Sequence, residues 1–187
     1  TVNFFPIVIS ATALGLMFNL IFLYDKGMVN QLLESLGVTE LIDWKGEKLA
    51  LITMMLPVMW QYVGFYFVIF LTGIANIPAD IYESAMLDGI RPLQKAAYIT
   101  IPMLRSVLTS SIVLVISGCF KVFDIIFMVT NGGPLDSSQL LSTYMYQKAF
   151  ARGNGGYASS IAIVMIVLGV AVTSVLRKLL SGGEENE

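Results

Sequence analysis

The chain has 187 residues, of which 13% are charged and 56% hydrophobic, with 11 phenylalanines; that balance lies outside an ordinary soluble domain and inside an integral membrane protein. A net charge of -2 and the lack of histidine argue against a nucleic-acid footprint and remove the commonest metal ligand and general base. The single Cys119 sits in an apolar run, can form no internal disulfide, and reads as a small buried hydrophobe.

Four candidate spans appear in chain order. Residues 4–24, FFPIVISATALGLMFNLIFLY, carry no charge and match a hydrocarbon core of about 30 Å at roughly 1.5 Å per residue. Residues 49–79 are uncharged throughout, more than one crossing needs and less than two, so a single tilted or kinked helix is expected, with Pro57 deleting the amide that would bond the Thr53 carbonyl. The third span covers about 106–129 and the fourth about 157–176. None reads as a signal peptide, because the first run lacks a basic leader and the others recur deep in the chain.

The connections have their own pattern. In residues 25–48, DKG marks a turn, and Val29, Leu32, Leu33 and Leu36 recur at helical spacing; a short helix on the membrane surface and a loop packed on the bundle both satisfy this pattern. Residues 130–156 open with Asn131, Gly132, Gly133 and Pro134, a helix stop followed by a turn, and SSQLLSTYMYQKAF then reads as a short interfacial or re-entrant helix. The ending LSGGEENE is a polar tail. Charge bias does not orient the spans: Arg91, Lys95, Arg105, Arg177 and Lys178 fall on one side, and Lys26, Lys45, Lys48, Lys148 and Arg152 on the other.

The stretch YESAMLDGIRPLQKAAYITIP, residues 82–102, is a polar island between apolar runs. Asp80 is expected to cap a short helix, with Glu83 completing a capping box. Gly89 is placed to end that helix in the left-handed conformation, and Pro92 starts a second helical segment that Pro102 breaks or redirects at the membrane edge. A rigid projection of this kind is built to dock something.

Glu83, Ser84 and Ala85, then Gly89 after three residues, then Ile99 after nine more, followed by Ile101 and Pro102, resemble the cytoplasmic signature loop of permease subunits of binding-protein-dependent ATP-driven importers. The usual form there is E-A-A, three residues, G, nine residues, I, one residue, L-P; Ser84 and Ile101 depart from it without altering the spacing. FFPIVIS, IFLTGIANIPADIYESAMLDG, FKVFDIIFMVTNGGP and the YQKAF and GYASS segments are similar to the carbohydrate-uptake branch, so the resemblance covers nearly the whole chain.

The resemblance implies an all-α membrane protein with the type I ABC importer transmembrane fold, here four transmembrane helices plus a cytoplasmic coupling helix. It implies one permease domain over 1–187, with the loop 80–102 in the cytoplasm and 25–48 and 130–156 outside. At least six spans are usual in this branch, so helices upstream of Thr1 are expected. The implied partners are a homologous permease subunit, two cytoplasmic ATPase subunits that bind ATP and Mg, an extracytoplasmic solute-binding protein, the lipid bilayer and a small sugar or related polyol. Glu83, Ser84, Ala85, Asp88, Gly89, Ile99 and Pro102 are the implied coupling residues.

Other side chains are candidates for the pathway or the permease interface. Lys121 and Asp124 are expected on one helix face, where the competing reading is a simple ion pair; counted from Arg105, Lys121 lies about 24 Å along that helix. Trp60, Gln61, Tyr62, Phe65 and Tyr66 combine aromatic faces and an amide suited to a polyhydroxyl ligand, against the plainer reading of lipid-facing or interhelical packing. Gly64, Gly73, Gly118 and Gly169 read as points of close helix approach. No phosphate-binding glycine-lysine loop is present, and catalysis by this chain is not expected. The alternative to a permease is a non-transporting membrane scaffold or assembly protein whose polar loop docks a cytosolic partner.

Overall fold

A computed structural model describes residues 4–181, all of whose regular elements are helical. The polar ending expected beyond Ser181 lies outside the described residues, as does Thr1.

The first apolar run is broken. Helix α1, Phe5–Val8, gives way to extended backbone at Ile9 and Ser10, and α2, Ala11–Ile21, starts again with the Ser10 hydroxyl accepting from the Ala13 amide at 3.2 Å. Ser10 is a standard N-cap, and its side-chain bond competes with helix continuation. At about 1.5 Å per residue the 11 residues of α2 reach about 16 Å, short of a hydrocarbon core. After α2 the chain forms α3, Met28–Ser35, in the place where the 25–48 pattern put a short helix.

Residues 49–79 form one long helix over most of their length, α4, Ala50–Ala75, with Pro57 buried inside it. Next come α5, Ala79–Leu87, and α6, Pro92–Lys95, which runs through a π-helical turn at Ala96–Thr100 into α7, Ile101–Met103. The chain bends by 67° at the break between this arm and α8, Arg105–Cys119. The redirection therefore falls at Leu104, just after Pro102.

The expected third span, 106–129, is also interrupted. Helix α8 stops at Cys119, and α9, Asp124–Val129, is a separate element packed against α2 and α4. The break is stabilised from outside its own sequence: the Ser142 hydroxyl donates to the Val122 carbonyl at 2.5 Å, satisfying an acceptor that helix continuation would otherwise use. Asn131 (φ 51°) and Gly132 (φ 86°) then take the left-handed conformation and end α9, as their residue types suggested. Helix α10, Leu141–Tyr146, passes through a π-helical turn at Gln147–Ala151, and α11, Gly155–Ser181, closes the described chain.

Among the described residues two helices, α4 and α11, are long and apolar enough to cross a membrane, and the bent pair of Pro92–Met103 with Arg105–Cys119 makes up to three, against the four crossings expected. This is an all-α membrane fold.

Apolar lipid offers no hydrophobic gain for pairing these helices, so close packing and interhelical hydrogen bonds must hold them together. Gly15 supplies the first: a Cβ there would lie 2.7 Å from Met128 Cβ and 3.5 Å from the Ile125 Cα, so α2 and α9 approach backbone to side chain. Asn19 supplies the second, donating to the Met128 carbonyl at 3.2 Å while accepting from Lys45 Nζ at 2.8 Å. Phe22, Met54, Ile125, Ile126 and Val129 form the buried cluster at this junction. On the other side α11 packs on α8 and α10, with Ser117 and Thr173 hydroxyls 3.0 Å apart across the α8/α11 contact.

Of the glycines expected at close approaches, Gly73 fits, since its Cβ would come within 2.8 Å of Leu104 and 3.2 Å of Val107. Gly118 faces open space, and Gly169 comes no nearer than 4.0 Å to Phe120. Cys119 is exposed rather than buried, because α8 ends there instead of continuing into a packed span.

Candidate functional site

The hairpin from Ala79 to Met103 carries the coupling candidates. Proline at position 78 disfavours a helical conformation in the residue before it and has φ preset, so α5 starts at Ala79 with Pro78 as the flanking residue. This corrects the capping expectation. Asp80 is a first-turn residue whose carboxylate accepts from the adjacent Ile81 amide at 3.0 Å, and no side chain caps α5, so Glu83 completes no capping box. Asp80 in the first turn still complements the helix dipole.

The far end of α5 follows the sequence closely. Gly89 has φ +68°, its amide donates to the Met86 carbonyl at 3.1 Å, and the Ile90 amide donates to the Ala85 carbonyl at 3.2 Å. That pair of bonds is a Schellman closure, which requires a left-handed residue where glycine stands. Ser84 folds its hydroxyl back onto the Asp80 carbonyl at 2.8 Å, Ala85 is buried, and Glu83 and Asp88 face solvent. The returning arm opens at Pro92, where the Gln94 side chain accepts from the Arg91 amide at 3.1 Å. Ile99 is half-buried and Pro102 exposed.

The outer surface of this hairpin is unusually apolar for a polar island. Met86 is 67% exposed, Leu87 89%, Leu93 85% and Tyr98 77%. Residue-by-residue matching to a loop motif missed these four, because exposure is not written in a motif's spacing. Also missed was Tyr82, which bridges the two arms.

The remaining candidates are dispersed. Lys121 lies in the turn after α8 and Asp124 is the first residue of α9, both exposed, so they do not share a helix face as expected. The reason is the break at residues 120–123, which separates them by a change of chain direction rather than one helical turn. In α4, Gln61 is buried, Trp60 packs edge-on against Phe18 with ring centroids 5.8 Å apart, Tyr66 is half-buried with its ring edge-on to Phe65 at 5.3 Å, and Tyr62 is exposed. Trp60 is thus an interhelical contact, and the four residues do not converge on one face.

A polar cluster that the sequence did not announce follows α9. Gln139 Nε2 donates to Gln147 Oε1 at 2.9 Å, Thr143 Oγ1 donates to Gln139 Oε1 at 3.2 Å, and Gln147 Nε2 donates to the Asn131 carbonyl at 3.0 Å. Thr130 and Ser138 hydroxyls meet at 2.7 Å. These bonds satisfy the backbone and amide groups of an irregular segment in a largely apolar chain, the condition for such a segment to persist. Among the described residues no group of three His, Cys, Asp or Glu side chains gathers as metal ligands.

The family of binding-protein-dependent transport system inner membrane components matches residues 1–182. The chain belongs to that family. Among its curated relatives, the probable ABC transporter permease protein YurN of Bacillus subtilis (strain 168) is 35% identical over 187 residues, covering 99% of this chain and 64% of its own length. The diacetylchitobiose uptake system permease protein NgcF of Streptomyces coelicolor is 34% identical over 192 residues, covering 100% of this chain and 54% of its own. The chain thus spans between about half and two thirds of the length of these inner membrane components. In fold it is similar to a bacterial ABC transporter involved in the import of the acidic polysaccharide alginate, with a TM-score of 0.87 and 20% identity over 96% of this chain and 63% of that one.

Proposed function

We propose that this chain is a non-catalytic permease subunit of an ATP-driven importer, forming half of a translocation pathway for a sugar or related polyol. The observation that carries this reading is the hairpin 79–103 in a member of the inner membrane component family. It is a closed hairpin that leaves Met86, Leu87, Leu93 and Tyr98 as bare apolar surface. Apolar side chains clustered on a polar projection mark a docking surface, and the partner proposed for it is a cytoplasmic ATPase subunit that binds ATP and Mg. The carbohydrate class is supported by relatives such as the diacetylchitobiose system permease and the Bacillus subtilis arabinooligosaccharides transport system permease protein AraP.

In this arrangement a homologous permease completes the pathway and an extracytoplasmic solute-binding protein delivers the solute. The bare apolar faces of α4 and α11 then meet lipid or the companion permease, and Glu83, Ser84, Asp88 and Gly89 belong to the docking projection. Residues 4–24 make the fourth crossing as a broken element, with α1 and α2 supported by α4 and α9 rather than spanning alone. Residues 80–102 face the cytoplasm and 130–156 the outside.

Cysteine accessibility mapping in intact cells and inverted vesicles tests the arrangement. Positions in 80–98 are expected to label from inside and positions in 132–140 from outside; the opposite pattern reverses the topology and removes the proposed ATPase contact.

A further inference from the structure

We propose that Tyr82 and Lys95 are positioning residues that lock the two arms of the hairpin into one rigid body, so that its bare apolar surface moves with the membrane helices; the role in transport rests on the docking reading above. Tyr82 belongs to the first turns of α5, and its hydroxyl lies 3.3 Å from Thr100 Oγ1 on the returning arm. Lys95 Nζ, also on the returning arm, sits 4.0 Å from the centroid of the Tyr82 ring. One side chain is thus held by a hydroxyl pair at its tip and a cation over its face.

The π-helical turn at Ala96–Thr100 makes this double contact feasible. On an ordinary α-helix, residues five apart differ by about 140° around the axis, which would point Lys95 and Thr100 to different sides. Bonds of the i to i+5 type instead stack the fifth residue over the first, and the Ile101 amide donates to the Ala96 carbonyl in that pattern. Thr100 Oγ1 also reaches back to the Lys95 carbonyl at 3.5 Å. Pro102 stands directly downstream, and since its ring and missing amide disfavour an α-helical bond to the Tyr98 carbonyl, it favours a local departure from α geometry. The motif proline therefore shapes the turn, and the turn presents both contacts to Tyr82.

The Gly89 closure joins the arms at their tip, and beside their base α4 meets the start of α8, where Gly73 lies against Leu104 and Val107. Both junctions lie at the ends. Tyr82 ties the stretch between them, where force on Leu87 or Leu93 would otherwise spread the arms.

The test uses the chain assembled with its partner subunits in nanodiscs, with spin labels at positions 87 and 98 of a Cys119→Ala background in one set and unlabelled protein in another. The parent is expected to give one narrow label distance, and Tyr82→Ala and Lys95→Met a broadened one, with Lys95→Arg restoring the parent because a guanidinium also sits over an aromatic face. In the unlabelled set, substrate-stimulated over basal ATP hydrolysis is expected to fall about two- to fivefold in Tyr82→Ala, the range an exposed cation–aromatic contact supplies. It is expected to recover when Tyr82→Cys and Thr100→Cys are joined by a short thiol cross-linker in a Cys119→Ala background. Unchanged label distances in both variants overturn the lock, whatever the ATPase does. Broadened distances with an unchanged stimulation ratio overturn its role in coupling. Failure of the unlabelled parent to retain the ATPase subunits strikes the docking reading instead, while the label distances still decide the lock.

Discussion

Two of the helix interruptions in this molecule, at Gly89 and at residues 120–123, arise by different physics. At Gly89 the interruption is local: a left-handed glycine, two backbone bonds that close α5, and a proline three residues later that opens the next arm. At residues 120–123 it is tertiary. The break there is held by the Ser142 hydroxyl on the Val122 carbonyl, and α9 turns its buried Ile125, Ile126 and Val129 into the cluster shared with α2 and α4. The first is a property of a few neighbouring residues; the second depends on partners elsewhere in the chain. A change at the first should therefore alter docking and spare the bundle, and a change at the second should do the reverse.

The largest effect is expected where α9 meets α2. Gly15→Val places a Cβ 2.7 Å from Met128 Cβ, with branches beyond it, and a β-carbon, fixed to its own backbone, cannot withdraw as a flexible side-chain tip would. Overpacking of this kind costs about 1–3 kcal/mol, and in a membrane it also removes the close approach that holds the helices together. Folded protein recovered in mild detergent should drop and melt at lower temperature. A Gly15→Val protein with parental abundance and melting would mean that α2 and α9 are not closely apposed.

Next in size is Gly89→Val. A Cβ at this position meets nothing within 4 Å, so the penalty is conformational alone: φ +68° forces a β-branched residue into the left-handed region at about 1–2 kcal/mol. Membrane abundance should stay near the parental level while ATPase co-purification or stimulated hydrolysis is lost. Gly89→Asn should be milder, because asparagine tolerates this region better than other side chains. Normal stimulation and uptake in Gly89→Val would return the hairpin to an ordinary connection, however well its shape is preserved.

This contrast also explains which parts of the structure were legible in the sequence. The C-terminal end of α5, the proline start of the returning arm and the stop at Asn131 and Gly132 were readable because glycine, proline and asparagine act on their own backbone, whereas the start of α5 was misplaced by the cap expected at Asp80. The long helix α4 was readable from length alone. The interruptions at Ser10 and at 120–123 were not, because in a membrane protein the faces toward lipid and toward other helices are both apolar, and the polarity pattern that marks an element's end in water is missing. A serine at position 10 within an uncharged run gave a capping signal, but hydropathy averaged over it. Of the site, the motif positions were readable and the bare apolar surface and Tyr82 were not, since such a surface is defined by exposure and a cross-arm contact by the phase of a π-helical turn.

The smallest structural effect, and the sharpest separation of the two regions, belongs to Asp124. It is exposed at the first turn of α9, where a carboxylate favours the helix by about 0.3–1 kcal/mol, so Asp124→Asn should leave the fold nearly intact. Helix-end stabilisation is all that residue needs to do if it has no further role. An exposed carboxylate at the start of a short helix inside an apolar chain nevertheless faces water or a partner rather than lipid, because a charge in hydrocarbon is costly. We therefore expect Asp124→Asn to lower uptake at equal membrane abundance while ATPase attachment through the hairpin is preserved, the converse of Gly89→Val. Lys121→Met serves as the comparison: since Lys121 lies within the break and Asp124 begins the helix after it, so that the two do not share one helix face, their substitutions should act independently, and the double variant should lose the product of the two single losses. A double variant no worse than the more impaired single one would show that the pair acts as a unit after all. Equal uptake by Asp124→Asn at equal abundance would confine the residue to the end of its helix.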